Sequence, residues 1–253
     1  MDKWLAPRLF WWFGSADEPP RWLPRTAVAE VLTLWSVCFV GIVLCYVIPF
    51  THPYASLVAT AGFLYLPLYA MRSRREDYRD YGVTLRAWRQ DLKLFAILFG
   101  LILPLFTLGY LGFSEALTQL PAWISKLLAP YVTHWEFHPK LPAKFGEWLV
   151  VQLFVIALPE EFFYRGYMQT RLRDAWPQGR VFLGARLGKA FWLTAVLFAL
   201  GHLAIFEVWR LGVFFPALLF GWLRERTGTV LGSALLHAGC NLLVLMLEAT
   251  FYG

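Results

Sequence analysis

Four polar side chains stand inside apolar runs in the carboxyl-terminal half of the chain: Glu160, His202, His237 and Asn241. A buried ionisable group is unfavourable unless it has a partner or a function. Together the four side chains supply a proton acceptor, a proton carrier and N–H donors for a developing oxyanion. Hydrolysis of a peptide bond by an activated water requires these groups, so the four are our candidate catalytic residues.

Two adjacent carboxylates, Glu160 and Glu161, occupy the run Ala-Leu-Pro-Glu-Glu-Phe-Phe-Tyr-Arg. Adjacent residues of a helix point about 100° apart, so the two cannot share one role. Glu161 and Arg165 are four residues apart, the spacing at which opposite charges on a helix face each other. We therefore expect them to form an ion pair, which leaves Glu160 free to act as a base.

The two histidines lie on different apolar runs and have small neighbours. A glycine precedes His202, and small residues lie between His237 and Asn241, so another backbone or a substrate can come close. The spacing of four places His237 and Asn241 on one helix face. Glu160 and His202 are equidistant from position 181, just after the turn signal at 177–180. An antiparallel pair of helices would therefore hold Glu160 and His202 at the same depth.

A zinc site is an alternative use of the same residues. Glu160, His202 and His237 with one water would match the three protein ligands of many catalytic zinc centres. Asn is a poor zinc ligand and carboxylates that could orient the histidines are scarce, so we expect no cofactor and retain zinc as the alternative. The chain has no His-Glu-x-x-His motif and no Gly-x-Ser-x-Gly elbow. Cys240 is three residues from His237 on one helix, which does not bring a thiol into line with the ring.

The elements that position these residues follow from an apolar composition. Of the 253 residues, 58% are hydrophobic and 16% are charged, and the mean hydropathy is +0.52. One soluble core cannot bury so much apolar surface, so membrane lipid must be the main solvent. The net charge of +6 lies in short gaps between apolar runs, which argues against a nucleic-acid partner. The three cysteines lie in apolar runs, and we expect free thiols.

Seven apolar runs are candidates for membrane-spanning helices, and they predict an all-α transmembrane bundle of about seven to eight helices. Residues 1–27 are predicted to be a cytoplasmic or interfacial segment, and 28–253 a single membrane domain with its catalytic core at 145–245. The sixth run is short and contains Pro216, so a tilted or re-entrant segment is an alternative. The runs cover 28–49, 54–71, 94–112, 145–164, 190–206, 208–223 and 229–247.

The basic residues indicate which side of the membrane each connection occupies. Basic connections stay in the cytoplasm, so we expect a cytoplasmic amino terminus in an inner membrane of the bacterial type. Glu30 and Glu248 lie near span ends, where they can reach the membrane surface, and we expect no function from them. Of the 23 lysines and arginines, 19 fall in four regions, 1–27, 72–93, 165–189 and 224–226.

Between the third and fourth spans, apolar residues recur at helical spacing. Glu115, Gln119 and Lys126 interrupt this run, which predicts a helix on the outer surface of the membrane. An eighth span is the alternative, and it would invert the end of the topology. The apolar positions are Leu117, Leu120, Ile124, Leu127, Leu128 and Tyr131.

Three spaced motifs on successive apolar segments resemble those of one known family. The motifs and their order along the chain resemble those of the CAAX-processing and bacteriocin-processing (CPBP, or Abi) family of intramembrane endopeptidases, which includes the Rce1-type CAAX proteases. The resemblance covers about residues 145–245, and the element Tyr-Gly-Val-Thr at 81–84 is similar to one found upstream in relatives. The three motifs are Glu160-Glu161-x-x-x-Arg165, Phe198-x-x-x-His202 and His237-x-x-x-Asn241.

The resemblance implies a membrane bundle of about eight helices and a glutamate-dependent peptidase, a hydrolase that acts on a membrane-associated protein or peptide. It assigns water activation to Glu160 and His202, and the oxyanion hole to His237 and Asn241. Processing is expected at CAAX-like or other carboxyl-terminal sites. Intramembrane Glu and His also suit proton relays, so a transporter or a membrane scaffold is the non-enzymatic alternative. The supporting residues are Glu161, Arg165 and Phe198.

Overall fold

The computed structural model describes residues 23–128 and 137–251, which form helices and one short hairpin. The predicted all-α membrane fold is confirmed. Strands β1 (Gly179–Phe182) and β2 (Ala185–Gly188) pair antiparallel. Short 3-10 helices cover His52–Tyr54, His202–Ile205 and Val208–Val213. The helices are α1 (Ala27–Val47), α2 (Ala55–Ser73), α3 (Trp88–Thr118), α4 (Ala122–Leu128), α5 (145–175), α6 (Lys189–Gly201), α7 (Phe214–Thr227) and α8 (Leu231–Phe251).

Each predicted span coincides with a helix, although some ends differ. The third span extends to the 31 residues of α3, about 46 Å at 1.5 Å per residue, which exceeds a hydrocarbon core of about 30 Å. The predicted start of the sixth span at 208 was wrong, because α7 begins at Phe214. Pro216 then lies in the first turn of α7, where backbone N–H groups have no helical acceptor. By length and composition, four described helices can cross a membrane, namely Ala27–Val47, His52–Ser73, Trp88–Thr118 and Leu231–Phe251.

Helix α5 carries Glu160 and is longer than the predicted span, because it continues without a break to Ala175. Two of its segments, Val151–Ala157 and Phe162–Met168, are π-helical, and such turns are frequent at functional sites. Pro159 has no N–H to donate to the carbonyl one turn earlier. The Thr60 hydroxyl of α2 donates to that carbonyl, Val155 O, at 3.1 Å instead.

Five helices pack around α5, namely α1, α2, α6, α7 and α8. Helices α1 and α2 pair with each other and contact its later half, whereas α8 contacts its first π-helical segment. Helix α8 also packs against α3 and α7, and α6 packs against α7. Phe163, Tyr167 and Leu172 of α5 are fully buried. The residue that the sequence singled out therefore lies on the innermost helix.

The connections alternate between two ends of the bundle. At one end Val230 N–H donates to Gly82 O at 3.0 Å, and Trp222 Nε1 donates to Phe182 O at 3.2 Å. We call this the basic end, and it comprises 74–87, 176–188 and 228–230. We call the other the far end, and it comprises 48–54, 119–128, 137–144 and 202–213. Helix α4 has only seven residues, and the described residues 119–128 and 137–144 form no eighth span.

Several details differ from the expectations. The turn predicted at 177–180 is the start of the β1–β2 hairpin, whose turn lies at 183–184. The predicted surface helix is divided, because Leu117 belongs to α3 and α4 begins only at Ala122. Tyr131 and residues 1–22 of the predicted amino-terminal segment lie outside the described residues. The three cysteines are free thiols, as expected.

We predict that the basic end is cytoplasmic, because its connections hold six arginines and the helix turns next to them hold further basic residues, whereas the described connections of the far end hold four. The test uses Gln119→Cys and Arg180→Cys, two exposed positions at opposite ends, with the three native cysteines replaced by alanine. A membrane-impermeant maleimide added to intact cells should label position 119 and should label position 180 only after permeabilisation. Labelling of both positions in intact cells would contradict the topology.

Candidate active site

The ion pair predicted within the first motif is confirmed. Arg165 Nη1 donates to Glu161 Oε1 at 3.0 Å, and both side chains are completely buried. Arg165 Nη2 also donates to the carbonyl of Ala217 at 3.2 Å, and the guanidinium lies 4.2 Å from the ring centre of Phe198. A buried charge that lacked these partners would be strongly destabilising. The pair therefore holds α5 against α6 and α7.

His237 lies between the two carboxylates of the motif. Its Nδ1 is 3.0 Å from Glu161 Oε1, and its Nε2 is 3.9 Å from Glu160 Oε2. An ionised carboxylate only accepts hydrogen bonds, so the ring proton lies on Nδ1. Nε2 is then an acceptor in the neutral ring and a donor only in the imidazolium. Phe220 stacks on the ring at 5.0 Å, which fixes its plane.

His202 has the tautomer that a base needs. Its Nδ1 lies 2.8 Å from the carbonyl oxygen of Phe198. Because a carbonyl oxygen cannot donate, the proton lies on Nδ1 and Nε2 of the neutral ring accepts. The ring centre of Phe198 lies 4.7 Å from that of His202 and 5.7 Å from that of His237. One aromatic side chain therefore separates and orients both histidines.

Glu160 and His202 line one cavity of about 490 Å³ between α1, α2 and α5. Glu160 Oε2 is buried and accepts no hydrogen bond from the described residues, so it is available to accept a proton. The expectation that the two residues lie level agrees with their shared cavity. Apolar and aromatic side chains form most of the wall. Towards the far end the lining includes Tyr46, Ala55, Trp148 and Arg210.

Asn241 and His237 are not among the residues that line this cavity. Asn241 Nδ2 donates to Gln152 Oε1 at 2.9 Å. Gln152 is buried and lies two turns before Glu160 on α5, which is the helix that also contacts His237. The amide of Asn241 has two N–H donors. One of these donors bonds Gln152.

Sequence reasoning missed Gln152 and Tyr164. Gln152 is neutral, so a search for ionisable groups passed over it, although an amide inside an apolar run is itself a signal. Tyr164 lies one turn after Glu160 and lines the cavity. A Cβ on Gly201 would lie 2.5 Å from the Tyr164 hydroxyl, so the glycine before His202 makes room for this side chain.

The expectation that Glu30 reaches the membrane surface was wrong, because its side chain is 2% exposed. Glu30 forms ion pairs with Arg74 at 2.7 Å and Arg171 at 3.1 Å, and it accepts a hydrogen bond from Tyr167. These partners come from the loop after α2 and from α5. Nearby, burial and the hydrogen bond to Glu76 raise the pKa of Tyr81, which stays a donor. Glu30 thus joins α1 to the basic end of α5.

The Tyr-Gly element at 81–84 packs on the later half of α5. The rings of Tyr81 and Tyr167 stack with 5.6 Å between centres. Gly82 has a φ of +82°, a conformation that favours glycine. A Cβ there would lie 2.9 Å from the guanidinium of Arg224 and 3.0 Å from Gly228 O.

Zinc does not fit these side chains as they are arranged. Within the described residues, no group of three or more His, Cys, Asp and Glu side chains is placed to hold a metal ion. Of the three alternative ligands, Glu160 and His202 line the same cavity, whereas His237 does not. Nδ1 of His237 faces Glu161, and its Nε2 lies 3.9 Å from Glu160. We derive no step through a metal.

Comparison with known proteins supports the resemblance read from the motifs. Residues 142–243 match the model of the family described as type II CAAX prenyl endopeptidase Rce1-like. No curated protein and no solved structure gave a significant match. The matched segment contains α5 to α7, most of α8 and all three motifs. With its apolar helices, the chain is an integral membrane protein, and its segment 142–243 is similar to the type II CAAX prenyl endopeptidase Rce1-like family.

Proposed function

We propose that the chain is an intramembrane endopeptidase that hydrolyses a peptide bond near the carboxyl terminus of a membrane-associated substrate. The observation that carries this proposal is the pairing of Glu160 and His202 in one cavity. Both present acceptors, Oε2 of the carboxylate and Nε2 of the ring. An acceptor pair inside an apolar cavity is suited to deprotonating a water that attacks a carbonyl carbon.

In the proposed reaction, Glu160 takes a proton from the water, and the water oxygen forms a bond to the scissile carbonyl carbon. The carbonyl oxygen becomes an oxyanion, which accepts hydrogen bonds from the remaining Asn241 N–H and from His237. His237 can donate from Nε2 only as the imidazolium, because its Nδ1 proton is held by Glu161. The proton on Glu160 passes to the leaving amine, either directly or through His202, as the C–N bond breaks. The carboxylate is regenerated.

The cavity also suits the substrate class. Its volume of about 490 Å³ lies within the range of sites that hold drug-sized ligands, and it accommodates a short peptide segment. Its apolar and aromatic wall suits aliphatic side chains or a prenyl chain. The cavity extends towards the far end between α1, α2 and α5, and these helices expose apolar side chains to the surroundings of the bundle. Substrates anchored in the membrane can reach it without crossing water.

The function is tested with purified protein in detergent and a farnesylated peptide that ends in Cys and three further residues, two of them aliphatic. Release of the terminal tripeptide, followed by mass spectrometry, is the expected result. An unprenylated peptide of the same sequence shows whether the lipid is required. No cleavage of either peptide, together with ion or solute flux in proteoliposomes, would instead support a transporter.

Asn241 distinguishes the metal-free reaction from a zinc-dependent one. Asn241→Ala should lower the rate by a factor of about 10² to 10³, the usual effect of removing one oxyanion donor. Asn241→Asp should remain folded, because the Gln152 amide can turn its N–H towards the new carboxylate. It should be at least as slow as the alanine variant, because it presents a negative charge to the oxyanion.

The matched measurement is the zinc content and activity of both variants after exhaustive chelation. Full activity of the chelated wild type would support the metal-free reaction. Stoichiometric zinc whose removal abolishes cleavage, or an active Asn241→Asp variant that requires metal, would contradict it.

A further inference from the structure

Arg210 is the second charged side chain in the wall of the cavity, after Glu160. It lies in the 3-10 helix Val208–Val213, in the connection between α6 and α7 at the far end. Glu160 lies halfway along α5, about 22 Å from either end of that helix at 1.5 Å per residue. The lining of the cavity therefore combines a carboxylate from the middle of α5, a guanidinium from the connection at the far end, and apolar side chains.

Only some of the N–H donors of the Arg210 guanidinium have an acceptor. Its Nε donates to Glu207 Oε2 at 2.5 Å, and its plane lies 4.8 Å from the ring centre of Trp209. Arginine carries five N–H donors in a fixed fork. Among the described residues no acceptor bonds Nη1 or Nη2, and the side chain is 37% exposed. Glu207 itself does not line the cavity, so the remaining donors can serve a ligand inside it.

We propose that Arg210 binds the terminal carboxylate of the peptide substrate and so selects chains that end a few residues after the scissile bond. This inference rests on the proposed function and adds a determinant of substrate choice. Arginine matches a carboxylate with two parallel hydrogen bonds. A peptide whose last residues are apolar and whose end is anionic complements the wall between Glu160 and Arg210. An internal peptide bond of a long chain would leave Arg210 without this ligand.

The test compares two fluorescent farnesylated peptides that are identical except that one ends in a free carboxylate and the other in an amide. Binding is measured by fluorescence anisotropy on the uncleaving Glu160→Gln variant. The acid should bind about tenfold more tightly than the amide. This factor is the effect of a hydrogen bond between charged groups, reduced because Arg210 is partly exposed to solvent. Glu160→Gln/Arg210→Gln should bind both peptides equally. Glu160→Gln/Lys140→Gln, which removes an exposed cation at the same end, should keep the preference.

Three results would overturn the assignment: equal binding of acid and amide, a preference that survives Arg210→Gln, or no binding of either peptide. Equal binding together with displacement of both by phosphatidylglycerol would reassign Arg210 to lipid headgroups. The proposed function can fail separately. If the preference depends on Arg210 but the wild type does not cleave the acid peptide, the result would support the carboxylate site and contradict the endopeptidase function.

Discussion

Glu160→Gln is expected to lower turnover by a factor of about 10² to 10⁴, the usual contribution of a positioned general base. The substitution keeps the shape of the side chain and removes its ability to take a proton. Substrate binding should change little, because a group that acts only in the transition state affects kcat and not KM. Steady-state cleavage of the farnesylated peptide gives both constants.

The matched control is Glu147→Gln, an exposed carboxylate on the same helix that pairs with Lys144. It should cleave at the wild-type rate. The assignment of the base to Glu160, and not to Glu161, can also be contradicted. If Glu160→Gln were active, and a well-folded Glu161→Gln were inactive, the base would be Glu161.

Arg165→Met is expected to destabilise the folded protein by about 3 to 5 kcal/mol, because it leaves the Glu161 carboxylate buried without its cation. The observation behind this value is the complete burial of both partners. Arg165→Lys should be intermediate, since it keeps the charge but cannot bond Glu161 and Ala217 O with the same fork. Thermal unfolding in detergent, together with the monodisperse yield, provides the measurement.

The double variant Glu161→Gln/Arg165→Met distinguishes the effect of an unpaired buried charge from the effect of altered packing. Removing both members of a buried pair is often nearly neutral, and Gln can still accept from His237 Nδ1. The double variant should therefore melt closer to the wild type than Arg165→Met does. A single variant that melts like the wild type would show that the pair does not stabilise the bundle.

The sequence predicted the features that follow from helical spacing. The interval of four between Glu161 and Arg165 allowed the ion pair to be predicted, because a helix places such residues side by side. The equal distances of Glu160 and His202 from position 181 predicted that they lie level, and they share a cavity. The apolar runs predicted the helices, since lipid leaves few alternatives for a backbone.

Other features depend on contacts that no local pattern encodes. The partner of Asn241 is Gln152, 89 residues away, and only the packing of α8 on α5 brings them together. Glu30 was misassigned because nearness to a span end was taken as access to the surface. Arg74 and Arg171, far along the chain, supply its buried partners. The π-helical segments of α5 likewise depend on tertiary contacts, including the Thr60 hydroxyl that bonds Val155 O.

Part of the cavity wall comes from outside the segment of the chain that carries Glu160 and His202. Helices α1 and α2 supply Trp35, Phe39 and Phe63 to the lining, yet both lie outside the matched segment 142–243. The lining of the cavity is thus encoded partly outside the segment that carries the proposed catalytic residues. Substitutions in α1 and α2 can therefore reshape this wall without changing the proposed catalytic residues, while Glu30 keeps α1 attached to α5.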